Sequence, residues 1–98
     1  MEFLWVDCTH PAPEGWVQVK TVEEAKAAFG GSKVFWASFD TQLEDGDGQT
    51  VLEWLDANNK WPSLKPTVHS DDAIKRLEMQ AFIERRGPYY PKIDVTKL

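Results

Sequence analysis

The stretch VFWASFDTQL, residues 34–43, decides the fold. Its apolar and small residues run without interruption from Val34 to Phe39 and include three aromatic side chains. A short run of this kind is typical of a strand that is buried on both faces. A buried strand rarely holds an unpaired carboxylate, so Asp40 is expected at the strand's exit, where open parallel sheets bind ligands. The alternative is that Asp40 only begins the following turn.

Three further segments have strand patterns. Residues 2–7, EFLWVD, form a second apolar run, which is closed by Asp7. Residues 16–20, WVQVK, alternate and predict a short, half-exposed strand. A last short strand is predicted over residues 65–69, where it ends at His69 and is followed by Ser70.

Helical segments separate these strands. Thr21 and Glu24 form a capping box at the start of a helix that ends at Gly30. A second helix is predicted over residues 49–57. A third, over residues 71–86, has Ser70 as its N-cap. The core face of the third helix is predicted to consist of Ile74, Leu77, Ala81 and Phe82.

Composition bounds the class of protein. With 98 residues and 42% hydrophobic residues, the chain is expected to form one soluble domain. Its net charge of -5 argues against extended nucleic-acid binding, which requires a basic face. The single cysteine, Cys8, favours a cytoplasmic location, and we expect neither a signal peptide nor a membrane-spanning segment.

Strands that alternate with helices predict a parallel sheet whose strands all exit at one edge. Asp7, Asp40, His69 and Ser70 follow three of these strands and are therefore expected to converge. Residues 44–48, EDGDG, are predicted to form a flexible loop over this edge.

The motifs LWVD, PAPEGW, TVEEA, SFD and TVHS, in this order, resemble the cyclic-phosphate-processing receiver-like domains. These are relatives of the response-regulator receiver fold, found in bacterial and phage conflict systems. The resemblance implies an α/β fold, a small receiver-like (flavodoxin-like) three-layer sandwich with a mostly parallel sheet. The domain would cover residues 1–88. Residues 89–98 would form a C-terminal extension, an edge strand or a homodimer contact.

The chain departs from the family's pattern where chemistry matters. The family carries a second acid where Cys8 stands, and a histidine and an acid where Thr41 and Gln42 stand. Its Val-His-Ser-Ala-Asn run continues here as Val-His-Ser followed by Asp71 and Asp72. The resemblance therefore implies a catalytically degraded active site.

Asp7 and Asp40 are the candidate ligands of a divalent cation, Mg or Mn, and Gln42 would supply a neutral oxygen. His69 is the candidate acid–base residue beside Asp40, and Ser70 would hydrogen-bond a phosphate oxygen.

The sequence also suggests roles for its tryptophans and for two residues of the loop after Asp7. Trp16 and Trp61 lie beside loops and are candidate ligand-stacking residues, whereas Trp5, Trp36 and Trp54 are predicted core residues. His10 is predicted to be a solvated loop residue, and Cys8 a passive small residue rather than a nucleophile.

Two classes of function remain open, and the sequence leaves undecided whether the protein is an enzyme. The first is a degraded receiver-like domain that binds a nucleotide, a phosphate signal or a protein partner. The second is a metal-dependent phosphoesterase that processes cyclic phosphate ends of nucleotides. A third reading, a receiver that accepts a phosphoryl group at Asp40, lacks the usual acid pair.

Overall fold

The computed structural model describes residues 2–90 of the chain. Along the chain the elements are β1 (Glu2–Val6), β2 (Val17–Val19), α1 (Val22–Gly31), β3 (Val34–Phe39), β4 (Gln42–Leu43), β5 (Gly46–Asp47), α2 (Gly48–Asn58), β6 (Thr67–Val68) and α3 (Ala73–Arg86). The predicted edge strand and dimer contact of the C-terminal extension fall mainly on residues 91–98, outside the described residues. No helix within residues 2–90 combines the length and the hydropathy needed to cross a membrane.

The main sheet has the strand order β2-β1-β3-β6, and all its pairs are parallel. β1 and β3 occupy the centre, so the predicted receiver-like α/β fold with a mostly parallel sheet is confirmed. The prediction of a flexible loop over residues 44–48 is wrong. These residues belong to a two-stranded antiparallel hairpin, β4–β5, and to the first residue of α2.

One face of the sheet packs against the helices. Leu4 and Val6 of β1 and Ala37 and Phe39 of β3 are fully buried. They share one core cluster with residues from all three helices: Val22, Ala25, Phe29, Val51, Leu52, Leu55, Met79 and Ile83. Because alternate residues of a strand point to opposite faces, this cluster uses only half of the side chains of β1 and β3.

On the opposite face of the sheet, Phe3 and Trp5 of β1 and Trp36 of β3 form an aromatic face together with Trp16, which precedes β2. Ring centroids within this group lie 5.2–5.7 Å apart for Phe3–Trp16, Trp5–Trp16 and Trp16–Trp36. None of these residues belongs to the buried core cluster, and Phe3 is 37% exposed. Trp5 and Trp36 are therefore half-buried on this face, not core residues as expected.

The hairpin β4–β5 supplies caps to two helices. Asp45 accepts hydrogen bonds from the backbone N–H groups of Val22 and Glu23, at the start of α1. Asp47 is the N-cap of α2 and accepts from the N–H of Thr50 at 2.8 Å. The acidic composition of this segment therefore matches the positive ends of two helices.

One of the two hydrogen bonds of the predicted capping box at the start of α1 is confirmed. Thr21 Oγ1 accepts from the N–H of Glu24 at 2.9 Å, as predicted. The carboxylate of Glu24, however, accepts from the N–H of Lys20 at 2.9 Å, one residue before the expected partner.

The predicted start of α3 is wrong, and its predicted core face is only partly right, because Phe82 packs against the core but Ile74 and Leu77 do not. The N-cap is Asp72, whose carboxylate accepts from the N–H of Lys75. Ile74 and Leu77 are 71% and 62% exposed, whereas Met79 and Ile83 are buried. One turn before Met79 the inward position is held by Arg76, whose guanidinium donates to the carbonyl of Ser70 at 2.6 Å. The first turn of α3 borders a polar site, so the sequence spacing of its aliphatic residues misled the prediction.

Candidate functional site

Backbone pairing brings three strand exits side by side. The N–H of Asp40 donates to the carbonyl of Val6 at 2.9 Å, and the N–H of His69 donates to that of Phe39 at 2.9 Å. The parallel hydrogen-bond pattern therefore continues one residue beyond β3 and β6, to Asp40 and His69, which the sequence predicted at the ends of these strands. The expected proximity of the Asp7 and Asp40 carboxylates is confirmed, because they offer oxygens within 4.8 Å of each other.

Asp7 is the centre of this group, with a fully buried side chain. Its Oδ1 accepts from the N–H of Thr9 at 2.7 Å, from the N–H of His10 at 3.0 Å and from Thr9 Oγ1 at 3.1 Å. Its Oδ2 accepts from His10 Nδ1 at 2.9 Å and from His69 Nε2 at 2.8 Å. Burial alone would raise the pKa of Asp7, but these hydrogen bonds together lower it to about 2. Asp7 is therefore a fixed negative charge.

Hydrogen bonds at both ring nitrogens and a stacked tryptophan fix the position of His69. Its Nε2 contacts Asp7, and its Nδ1 lies 2.7 Å from Ser38 Oγ, which in turn accepts from Thr67 Oγ1 at 2.8 Å. Its ring stacks on Trp5 with centroids 3.8 Å apart and planes 8° apart. Both ring nitrogens are engaged, so in this arrangement His69 positions Asp7. The row Ser38–His69–Asp7 has the composition of a hydrolase triad, but Ser38 is 4% exposed and no substrate reaches its hydroxyl.

His10 is the residue of this site that the sequence did not reveal. Its Nδ1 lies between two carboxylates, 2.9 Å from Asp7 Oδ2 and 3.8 Å from Asp40 Oδ2. Its Nε2 lies on the open side, 3.7 Å from the exposed carboxylate of Asp71. The hydrogen bond to Asp7, together with the charges of the nearby acids, raises the pKa of His10. The available signal was its position three residues after a strand-ending acid.

Asp7, His10 and Asp40 together form a donor set for a cation. One donor atom from each lies within 4.8 Å of the others. Two carboxylate oxygens and one imidazole nitrogen suit a divalent ion such as Mn²⁺, and the fully buried Asp7 and nearly buried Asp40 fix the oxygens. Asp40 is further oriented by the N–H of Thr41, which donates to its Oδ1 at 2.7 Å. The residues present therefore fit a cation.

A cavity of about 420 Å³ opens beside this donor set. It is lined by Thr9, His10, Asp40, Thr41, Gln42, Gly46, Asp47, Ser70, Asp71, Asp72 and Lys75. Four of these residues are acidic, and the basic ones are Lys75 and His10, so acidic groups outnumber basic groups in the cavity before any ion binds. A phosphate would enter it only against this excess of acidic groups, unless a cation is bound first.

The expected ligand-binding residues differ in their positions. Gln42 and Ser70 line the cavity, but Ser70 Oγ already bonds with Thr41 Oγ1 at 2.9 Å and accepts from the N–H of Asp72 at 3.1 Å. Trp16 is part of the aromatic face. Trp61 packs against Phe82 and Tyr89 and lines another cavity, of about 370 Å³, at the amino end of β3. The structure therefore does not bring Trp16 and Trp61 to the acid-lined cavity.

Cys8 occupies the position next to Asp7 without joining the donor set. Its Sγ lies 3.5 Å from the carbonyl oxygen of Gln42. Burial, followed by the negative charges of Asp7 and Glu44, raises the pKa of the thiol. A protonated thiol is a poor nucleophile and a poor metal ligand, so the passive role expected for Cys8 is the favoured one.

Gly48 sets the distance between α2 and the site. A Cβ atom at this position would lie 2.2 Å from the carbonyl oxygen of Asp40 and 2.9 Å from a carbon of Met79. The N–H of Gly48 donates to the carbonyl of Thr41 at 3.0 Å. The missing side chain therefore lets the start of α2 pack directly on the backbone that carries Asp40.

A comparison with protein families matches residues 3–85 to the cyclic-phosphate processing receiver domain. Comparisons with curated proteins and with solved structures give no match. The family match spans every residue of the donor set and of the cavity lining.

Proposed function

Because the chain belongs to the family of cyclic-phosphate processing receiver domains, we propose that it binds a phosphate ester in the acid-lined cavity. In this proposal a divalent cation held by Asp7, Asp40 and His10 receives the phosphate, and the ligand is a nucleotide with a cyclic phosphate. The observation that carries the proposal is the donor set: its three donor atoms lie within 4.8 Å of one another beside the cavity.

Charge explains why a cation is needed. The cavity is lined by Asp40, Asp47, Asp71 and Asp72, with Lys75 and His10 as the basic residues. An anionic phosphate placed among these side chains would be repelled, whereas a divalent ion is attracted and reverses the local charge. We therefore expect ligand binding to depend on the cation.

Binding without efficient turnover is the form of the function that we favour. Cys8, Thr41 and Gln42 stand where the resembled family carries two acids and a histidine. Thr41 Oγ1 is engaged with Ser70, and Gln42 presents a neutral amide on the exposed rim. These replacements lower the number of negative ligands and remove a proton carrier, so cation affinity and chemistry are both weakened.

In the absence of a cation, the Nδ1–H of His10 lies between the carboxylates of Asp7 and Asp40 and offsets part of their negative charge. A cation bound through the same nitrogen must displace this proton, so cation binding is expected to release a proton and to weaken as the pH falls.

Calorimetric titration of the protein with Mn²⁺ in two buffers of different ionisation enthalpy tests this proposal. We expect one site, with proton release, that is lost in Asp40→Asn and weakened in His10→Gln. Asp56→Asn is the matched control, because its carboxylate pairs with Arg86 on a distant surface. Unchanged Mn²⁺ affinity in Asp40→Asn, or absence of binding in the wild type, would contradict the proposal.

Hydrolysis is the second candidate function, and the geometry of His10 favours it. Asp7 orients Nδ1 and leaves Nε2 on the open side, which is the arrangement of a general base, so in this candidate Asp7 and Asp40 hold the cation without His10. In hydrolysis of a 2′,3′-cyclic phosphate, water forms a new P–O bond while one ester P–O bond breaks. The proton of the water passes to Nε2, the departing ribose oxygen takes a proton from solvent water, and Nε2 then returns its proton to solvent.

Phosphorus NMR of 2′,3′-cyclic nucleotides incubated with the protein and diamagnetic Mg²⁺ separates the two candidates. Binding without turnover predicts a shifted or broadened cyclic phosphate resonance and no monoester product. Steady monoester formation that disappears in His10→Gln would establish the enzyme instead.

The cellular setting is part of the same proposal. The family resemblance favours a bacterial or phage conflict system, and the single cysteine favours the cytoplasm. A protein partner remains the alternative ligand. Affinity capture from the native host with wild type and Asp40→Asn, followed by mass spectrometry, would show whether any partner depends on the site.

A further inference from the structure

The loop that carries Thr9 and His10 connects β1 to β2 without a helix, over residues 7–16. In place of a helix, side chains of the two strands hold it. Gln18 of β2 donates from Nε2 to the carbonyl of Asp7 at 2.9 Å and to that of His10 at 2.9 Å, and its Oε1 accepts from the N–H of Ala12 at 3.3 Å. Every hydrogen of this amide group is used within the loop.

Trp5 holds the same loop from β1. Its indole Nε1–H donates to the carbonyl of His10 at 3.0 Å. That carbonyl therefore accepts two hydrogen bonds, one from Trp5 and one from Gln18, which together use its two lone pairs. The backbone of His10 is fixed although its ring is 46% exposed.

Trp5 also supports the second histidine of the site. The face of its ring stacks on His69 with a centroid distance of 3.8 Å, and it forms an edge-to-face pair with Trp16 at a centroid distance of 5.7 Å. Both histidines bond to Oδ2 of Asp7, one from the loop and one from the end of β6. Besides Asp7, Trp5 is the side chain among the described contacts that touches both, through the backbone carbonyl of His10 and the ring of His69.

We propose that Trp5 and Gln18 are positioning residues of the cation site: they aim His10 at the two carboxylates, and Trp5 in addition fixes His69 behind Asp7. This inference rests on the proposed function for the presence of a cation. The contacts of Trp5 and Gln18 with the loop do not depend on a cation. Partners of this kind orient metal ligands, and their loss typically lowers metal affinity about 10- to 100-fold.

Three substitutions separate the contacts. Trp5→Phe keeps a ring against His69 and removes the Nε1–H bond to His10. Gln18→Leu removes the amide bonds to Asp7, His10 and Ala12 and leaves the indole in place. Trp36→Phe is the matched control, because Trp36 belongs to the same aromatic face and its ring contacts are with Phe3 and Trp16.

Two measurements are made on each variant: Mn²⁺ affinity by calorimetry, and amide hydrogen exchange at Thr9 and His10 by NMR. These two amides donate to Asp7, so their protection reports the loop without any cation. We expect Trp5→Phe and Gln18→Leu each to weaken Mn²⁺ binding about tenfold or more and to speed exchange at both amides. Trp36→Phe is expected to stay within about twofold of wild type in affinity, because it touches none of the loop's anchors.

Failure of the two proposals would be distinguishable. If wild type does not bind Mn²⁺ but exchange at Thr9 and His10 rises in the two variants, the positioning role stands and the proposed cation site falls. If exchange and affinity are the same as in Trp36→Phe, the positioning role is overturned. Gln18→Leu keeps the test valid even if Trp5→Phe does not fold, since Gln18 lies at a partly exposed strand.

Discussion

The two faces of β1 and β3 differ in what they bury. On one face Leu4, Val6, Ala37 and Phe39 are fully buried among helix residues. On the other, Trp5 and Trp36 remain half-buried, and Ser38 directs its hydroxyl to His69. The same two strands therefore provide a buried apolar face that stabilises the fold and a second face that supports the site. The comparison predicts large stability effects on the first face and mainly site effects on the second.

Phe39→Ala should show the largest effect. The ring of Phe39 is fully buried and lies 6.1 Å from that of Phe29, in a parallel arrangement. We expect a loss of about 3–5 kcal/mol in the free energy of unfolding, measured by urea denaturation. Trp36→Ala, on the aromatic face, is expected to cost about half as much, because water already reaches that ring. Equal losses would contradict the distinction between the faces.

Asp7 should make the stability depend on acid pH. Its folded pKa of about 2 lies below the ordinary value of 3.8, so its stabilisation is present above that value and is lost as the pH falls towards 2. For this fully buried group the shift corresponds to about 2 kcal/mol. In cation-free buffer, urea unfolding of wild type should show this loss, and Asp7→Asn should show a flatter profile at lower stability. Parallel profiles would mean that other carboxylates control the acid transition.

Ser38→Ala should have a smaller effect on stability, of about 1–2 kcal/mol. The substitution leaves His69 Nδ1 and Thr67 Oγ1 without their shared partner. Because His69 then orients Asp7 less firmly, Mn²⁺ affinity should fall as well. Ala37→Ser, one residue away on the buried face, is the opposite change, and it should destabilise the protein without a specific effect on Mn²⁺. A selective loss of Mn²⁺ binding in Ala37→Ser would show that the buried face also supports the site and would contradict the distinction between the faces.

Leu77→Ala should have the smallest effect, within about 0.5 kcal/mol, because the side chain is 62% exposed. Met79→Ala, two residues later, removes a buried side chain and should cost about 2–5 kcal/mol. Thermal or urea unfolding of the pair tests the orientation of α3. If Leu77→Ala lowered the free energy of unfolding more than Met79→Ala does, Leu77 would belong to the core, as the sequence spacing predicted.

Much of the fold was predictable because the strongest patterns belong to buried strands. The apolar runs ending at Asp7 and Asp40 predicted the two central strands and the edge where their carboxylates meet. Ile74 and Leu77 were wrongly assigned to the core because the first turn of α3 faces a polar site, where Arg76 takes the inward position and aliphatic residues point to solvent. Helical spacing alone does not reveal which stripe faces the core.

His10 was missed for a different reason. Its role depends on a loop conformation fixed by Gln18 and Trp5, and no periodic pattern encodes those long-range contacts. His69 was found because it follows a strand, but its contacts with Ser38 and Trp5 were not predictable from that position. The positions of residues at the ends of parallel strands predict which residues lie close together. The hydrogen bonds between their side chains, which determine which atoms can still bind a ligand, are not predictable in this way.

The hairpin β4–β5 joins two helices that are not neighbours in the chain. Asp45 caps α1 and Asp47 caps α2, while Asp47 also lines the cavity. Opening the hairpin would expose the first amides of both helices at once, so these two ends should behave as one cooperative unit in local unfolding. A ligand that contacts Asp47 would then change the protection of the first amides of α1, which Asp45 of the same hairpin accepts from.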